Sequence, residues 1–380
     1  MKIKKNIGIV IGRFQPFHNA HKELIQTALD QSDIVVVFVG SGDKHRSHKN
    51  PFRFKEISSM IVGEFKEEIE ENKLRLISLP DFISNDLIWA NQIENYINSL
   101  KMNLINNNDF NKPVEIHCTV FGHDKDDSSF YLKLFDDYNL VHIDNLYNNL
   151  SSTDIRNFLK ESLHFDNFYQ AFKDKLPKST LWLINKNYIK YKKIIEDDIN
   201  YLNKQRELFI DYPYPETLNF ITTDVLVVLC KDPGGMINEN DEVLLIKRKF
   251  HPGKGAYALP GGFLNTDETP FQGAIREFKE EVGVDLIKEN YFITSNMMFL
   301  ADHPKRSLYG RRLSFVYYLK IKGLKNIKDF KSKIKAGDDA KEVKFLSLKK
   351  ALKPGNKGQY KAFFDDHREL IVRGIEEMSR

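Results

Sequence analysis

Residues 261–284, GGFLNTDETPFQGAIREFKEEVGV, restrict the possible folds of this chain more than any other stretch. The periodicity predicts a helix over Pro270–Val282, stopped by Gly283 where a C-terminal glycine is favoured. Ala274, Phe278 and Val282 then repeat at i+4 on one face, which can anchor the helix in a core. Glu277, Glu280 and Glu281 stand at i, i+3 and i+4 on another face. Three carboxylates so placed repel one another, and a hard divalent cation would remove that penalty by taking their oxygens. Arg276 lies one helical step before Glu280 and can orient it. Most Glu-rich helices are simply solvated, so the acidic face alone decides nothing. Around this helix the chain supplies strands: 223–230 and 242–249 split by a loop, then runs near Tyr291–Leu300 and Leu313–Ile321. The second half therefore reads as an α+β domain.

The spacing goes further than the pattern. Gly262, Glu268, the Arg276–Glu281 cluster and Gly283-Val284 fill every fixed position of the Nudix box. The chain from about Asn219 onward thus resembles the Nudix hydrolases. That resemblance implies attack of water on a phosphorus of a nucleoside diphosphate, assisted by Mg²⁺ or Mn²⁺. It implies Glu277, Glu280 and Glu281 as metal ligands, with Glu280 and Glu281 in catalytic roles. The segment FLADHPKRSLYGRR, 299–312, resembles the substrate loop of ADP-ribose pyrophosphatases joined to pyridine-nucleotide metabolism. By that comparison Gly262, Asp302, Arg306 and Arg311 would face ADP-ribose, the two arginines clamping the pyrophosphate. Exposed basic residues in a loop are the alternative.

The first half opens on an apolar run, Ile7–Ile11, that breaks at Gly12; a helical pattern over Ala20–Gln31 and a strand at Ile34–Val39 follow. Strand, helix, strand with buried strands is the signature of a parallel sheet. Further runs near Leu74–Leu79, Glu115–Phe121 and Leu140–Ile143 extend it to a doubly wound, Rossmann-like α/β domain. GRFQPFHNAH, Gly12–His21, and LSSTDIRNFL, Leu150–Leu159, resemble the two signatures of the nucleotidylyltransferase superfamily, with Ala20 in place of a usual glycine. The resemblance assigns ATP to Gly12, Arg13, Phe14, His18, His21, Ser152, Thr153 and Arg156, with His18, His21 and Arg156 catalytic. Ser152 or Thr153 is a natural N-cap, from whose first turn Arg156 can meet phosphates. Residues 41–61, 80–93 and 121–135 are similar to archaeal-type nicotinamide mononucleotide adenylyltransferases. That likeness places Asp81, Asn85 and Trp89 around the nicotinamide, an indole face suiting a pyridinium. A core tryptophan is the competing reading. His48 and Lys44, with Asn50 and Arg53 behind them, are candidates to hold phosphate.

At 380 residues two cores are expected: 1–185, a charged helical connector over 186–215, and 216–380. A tether between two independent catalysts is the simplest assumption. The net charge of +4, from 57 basic and 53 acidic residues, does not suggest a nucleic-acid binder. The longest apolar stretches are strand-sized, so no membrane partner is expected. No targeting segment is visible, and Cys118 and Cys230 lack metal or redox spacing, which fits a reducing cytoplasm. Taken together, the chain resembles the bacterial fusion of a mononucleotide adenylyltransferase with an ADP-ribose pyrophosphatase. Its implied partners are ATP, nicotinamide mononucleotide (NMN) and ADP-ribose, with self-association left open. The competing reading is another nucleotidylyltransferase, of the phosphopantetheine type, joined to a Nudix-like ADP-ribose sensor.

Overall fold

A computed structural model of the protein describes residues 3–82, 86–106, 114–122, 134–135, 137–143, 150–207, 219–291, 293–294, 296–335, 337, 340–354 and 360–379. Its contacts divide it into two compact units. Of the described residues, the first holds 3–42, 46–81 and 86–197; the second holds 43–45, 82 and 198–379.

The first unit runs β1 (Ile3–Gly12), α1 (Asn19–Gln31), β2 (Ile34–Val39), α2 (Phe54–Val62), α3 (Lys66–Glu70), β3 (Leu74–Ser78), α4 (Asp86–Asn106), β4 (Val114–Gly122) and β5 (Asn139–His142). Helices α5 (Ser152–Glu161), α6 (Phe165–Phe172) and α7 (Lys178–Lys186) follow, with the start of α8 (Tyr188–Glu207). All five strands pair in parallel in the order β3-β2-β1-β4-β5. Ile7, Ile9 and Val10 at its centre are inaccessible to solvent, as are Val35 to Val39. Such continuous apolar runs are required when both faces of a sheet are covered. The strand order reverses between β1 and β4, so a crevice opens beside Gly12, at the carboxyl ends of the strands. The doubly wound expectation holds.

Glu56 on α2 organises the flank of this unit. Its carboxylate accepts from Arg46 (2.8 and 2.9 Å), Lys190 (3.1 Å), the Tyr191 hydroxyl (3.0 Å) and the Arg53 backbone (2.8 Å). Tyr191 and Ile195 of α8 are fully buried in the same unit. The expected connector, 186–215, begins within this unit. The division falls between Asp197 and Asp198, inside α8. Residues 208–215 of that expected segment lie outside the described residues.

The second unit contains β6 (Asn219–Cys230), β7 (Glu242–Arg248), β8 (Tyr257–Ala258), β9 (Gly261–Phe263), α9 (Pro270–Val282), β10 (Met298–Ala301) and β11 (Arg311–Lys322). It closes with α10 (Leu324–Lys333), β12 (Ala340–Ser347), α11 (Leu348–Leu352) and α12 (His367–Ser379). The sheet order is β10-β11-β6-β7-β12, with β8 beside β7 and β9 beside β6; only β6 and β11 run parallel. The α9 helix spans the predicted residues because its ends are strongly marked. Thr269 and Gln272 form a reciprocal capping box, Pro270 takes the first turn, and Gly283 ends it at φ +79°. Ala274, Phe278 and Val282 are fully buried, as their spacing requires.

Of the strand expected near Tyr291–Leu300, the described residues form Met298–Ala301. Tyr291 and Ile293 bury their side chains against the core that includes Phe330 without joining a ladder. Among the described residues no helix is long and apolar enough to cross a membrane. Cys118 and Cys230 are buried and unbridged.

Candidate active sites

In the first unit the crevice beside β1 is built by residues 12–18 and the start of α1. The ring of Phe14, held at φ +53°, occupies the space where a side chain on Gly12 would lie. A Cβ there would come within 2.9 Å of it. Phe14 is thus one reason why a glycine stands at position 12. Phe14 in turn packs edge-on against His21 (centroids 4.8 Å apart), and His21 stacks on His18 at 3.6 Å. The paired imidazoles sit where α1 begins, where backbone N–H groups favour anions.

Arg156 reaches this place from α5. It donates to the Gln15 carbonyl (2.7 Å) and the Thr153 hydroxyl (3.1 Å) and is only 7% exposed. Burial, then the neighbouring Arg13 guanidinium, pull its pKa down to about 10. Lys49 is lowered too, by burial and then by Arg13 and Arg156. Three cations lie close together here, and a place that gathers like positive charge is suited to an anion. Lys49 escaped the sequence reading, which singled out its neighbours His48 and Asn50. The cap of α5 is Ser151, one residue before the expected pair, and it accepts from the Thr153 N–H. Ser152 instead donates to the Pro16 carbonyl, tying α5 to the 12–18 loop.

The residues assigned to nicotinamide are less convergent. Asp81 accepts both the backbone N–H and the hydroxyl of Ser41 (3.0 and 2.9 Å), so it fixes the loop after β2. Trp89 is half-buried and packs against the core of the sheet, the competing reading of that residue. Asn85 lies outside the described residues. Lys44 counts with the second unit, where its ammonium donates to the Asp365 carbonyl. Arg53 stands at the start of α2 beside Arg46 and Glu56.

In the second unit a cleft of about 340 Å³ opens between α9 and the sheet. Glu277 and Glu281 line it, one helical turn apart. Glu281 is 6% exposed and accepts the Gly261 N–H at 2.9 Å. Burial, with Glu277 and Asp224 nearby, pushes its pKa up to about 8, against that N–H and Arg248. Burial also raises Glu277. A Cβ on Gly262 would come within 2.5 Å of the Glu277 carboxylate, so this glycine serves Glu277 directly. Glu280 points away from the cleft and is 53% exposed. Arg276 holds two of the three, pairing with Glu277 (2.8 Å) and Glu280 (3.0 Å) as well as with Glu268 (2.6 Å). Among the described residues no three acidic, histidine or cysteine side chains already converge at coordinating distance.

The structure does not bring the expected arginine pair together. Arg306 lines the cleft but is locked in a buried bidentate pair with Asp366 (2.9 Å twice). Arg311 is exposed and outside the cleft, because side chains alternate along β11 and its neighbour Arg312 takes the inward position. Arg312 is 8% exposed, its guanidinium lies over Phe263 (5.3 Å), and its Nε has no hydrogen-bond partner. A buried guanidinium with a donor left over is suited to an anion. Asp302 is exposed and outside the cleft. Asp224, Arg248 and His367 line it without having been foreseen. The inward alternation of Arg312, Ser314 and Val316 was the signal available for Arg312; none marked His367.

Comparison with known proteins matches each unit separately. Residues 9–158 fit the Cytidylyltransferase-like family and residues 233–366 the NUDIX domain family. Over 148 residues the chain is 36% identical to the nicotinamide/nicotinic acid mononucleotide adenylyltransferase of Acinetobacter baylyi, covering 39% of this chain and 72% of that protein. Over 114 residues it is 39% identical to the ADP-ribose pyrophosphatase of Methanocaldococcus jannaschii, covering 30% of this chain and 59% of that one. The crystal structure of a bifunctional NMN adenylyltransferase/ADP ribose pyrophosphatase from Francisella tularensis superposes with a TM-score of 0.65 at 29% identity, over 98% of this chain and 99% of that one. The same kind of protein, complexed with AMP and a manganese ion, gives 0.62 at 28% identity over the same shares.

Proposed function

The chain belongs to the nicotinamide/nicotinic acid mononucleotide adenylyltransferase family, and from that premise we propose that it makes NAD in its first unit and hydrolyses ADP-ribose in its second. In the first reaction the 5′-phosphate oxygen of NMN forms a bond to the α-phosphorus of ATP. The bond from that phosphorus to the bridging oxygen breaks, and pyrophosphate leaves. No enzyme nucleophile takes part. Arg13, Lys49 and Arg156 receive the charge that develops on the leaving pyrophosphate, and His18 and His21 orient the phosphates at the mouth of α1. The convergence of Arg13, Lys49 and Arg156 beside the stacked His18–His21 pair is the observation that carries this reading.

In the second reaction the oxygen of water bonds to one phosphorus of ADP-ribose, the bond from that phosphorus to the bridging oxygen breaks, and AMP and ribose 5-phosphate leave, the water's proton passing to solvent. Glu277 and Glu281 offer hard oxygen donors in the cleft, with Glu280 beside it, and the burial that pushes Glu277 and Glu281 up is a penalty that a divalent cation would offset. Mg²⁺ or Mn²⁺ held there would polarise the phosphate and acidify the attacking water. Arg276 keeps the carboxylates apart and aimed, and Arg312 clamps the pyrophosphate in the place expected for Arg311. Magnesium would accompany ATP in the first unit.

The test is chromatography of the protein incubated with ADP-ribose and Mg²⁺, and separately with NMN, ATP and Mg²⁺. AMP from the first mixture, lost in Glu281→Gln, and NAD from the second are expected. Binding of ADP-ribose without AMP would replace hydrolysis by sensing.

A further inference from the structure

Glu281 owes its place to the Gly261 N–H, and that turn is itself held from an unexpected direction. Leu259 is buried, and its N–H donates to Nδ1 of His367 at 2.9 Å. His367 opens α12, a helix outside the Nudix box, and is 6% exposed. A ring nitrogen that accepts a backbone proton carries a lone pair, so the imidazole proton sits on Nε2. That edge faces the Asp224 carboxylate at 3.9 Å. Asp224 in turn accepts the Ser314 hydroxyl, and in the sheet it pairs with Gly261 across β6 and β9. The carbonyl of Pro260, between the two tethered amides, accepts the Val225 N–H at 2.8 Å. The turn 259–261 is therefore pinned on both sides, by β6 and by one imidazole.

We propose that His367 is a positioning residue for the hydrolytic site. Its Nδ1 holds Leu259 so that the next N–H along the chain, from Gly261, meets the Glu281 carboxylate. The inference rests on the hydrolase reading above for its kinetic consequence, but not for the tether itself.

Two isosteres separate the edges of the ring. In His367→Asn the amide oxygen stands near the Nδ1 position and can accept from Leu259; in His367→Gln the amide reaches only the Nε2 position. Losing one buried backbone hydrogen bond is expected to lower kcat for ADP-ribose roughly tenfold in His367→Gln and His367→Ala, with KM little changed. His367→Asn should stay within about threefold of wild type. Hydrogen exchange at the Leu259 and Gly261 amides should speed up in the Gln and Ala variants and not in Asn. In the wild-type protein, long-range proton–nitrogen spectra of the imidazole should show the Nε2–H form alone. Activity retained in Gln but lost in Asn, unchanged exchange at Gly261 in His367→Ala, or an Nδ1–H imidazole would each overturn the proposal. Should the wild type cleave no ADP-ribose, the hydrolase reading fails, while exchange and tautomer still decide the tether.

Discussion

At the scale of single residues, the two sites differ in how their charges are balanced. In the first, Arg13, Lys49 and Arg156 are like charges held close, so removing one should weaken phosphate binding more than it harms the fold. Lys49→Ala is expected to raise the KM for ATP about tenfold, measured by initial rates of NAD formation, with thermal stability unchanged or improved. His21→Ala should instead cut kcat about a hundredfold and leave mononucleotide binding within about threefold, since the stacked pair acts on the reacting phosphates. In the second site adjacent arginines make a direct comparison. Arg312→Ala should raise the KM for ADP-ribose at least about tenfold, while Arg311→Ala stays within about twofold. Equal effects of the two would remove Arg312 from the clamp.

At the scale of elements, the Glu56 hub carries the clearest pH dependence. Burial alone would raise its carboxyl, yet the Arg46 guanidinium, with Arg53 N–H and Lys190, holds it down at about 2. A carboxyl depressed in the folded state stabilises fully above its unfolded pKa of about 4.5 and loses that contribution as pH falls towards 2. Denaturation of Glu56→Gln should show a deficit of up to about 3 kcal/mol at pH 7 that shrinks between pH 4.5 and 2. A deficit constant with pH would place the hub's value in packing. This hub was illegible in sequence, because Arg53, the residue before α2, is not a usual capping residue and the partners Lys190 and Tyr191 are far along the chain. The opposite case is α9, whose capping pair, Pro270 and Gly283 are all local signals. β12 was missed because Val343 and Phe345 are only half-buried, which leaves a weak apolar signature. Within the sites, motif residues were legible because their chemistry depends on short spacings. Arg312 and His367 depend on strand facing and on contacts made far along the chain, which short spacings do not record.

For the whole molecule, two compact units with separate cores imply two separable chemistries. Glu281→Gln should abolish ADP-ribose hydrolysis and leave NAD synthesis within about twofold, and Arg156→Ala should do the reverse. Both rates measured on the same preparations would check it; a mutual loss would mean that the chemistries depend on each other. Where the chain was expected to run as a free tether, α8 contributes its first half to one core and its second to the other unit.

The glycines that begin the hydrolytic signature set a rule for laboratory evolution. At Gly261 a side chain would lie 2.1 Å from the Thr223 carbonyl, and at Gly262 it would displace the Glu277 carboxylate. Libraries randomised at residues 261 and 262 and selected for turnover should therefore return glycine twice. Selected for solubility alone, the same libraries would relax at Gly262 before Gly261, since only the second of these collisions strikes a side chain that can swing aside.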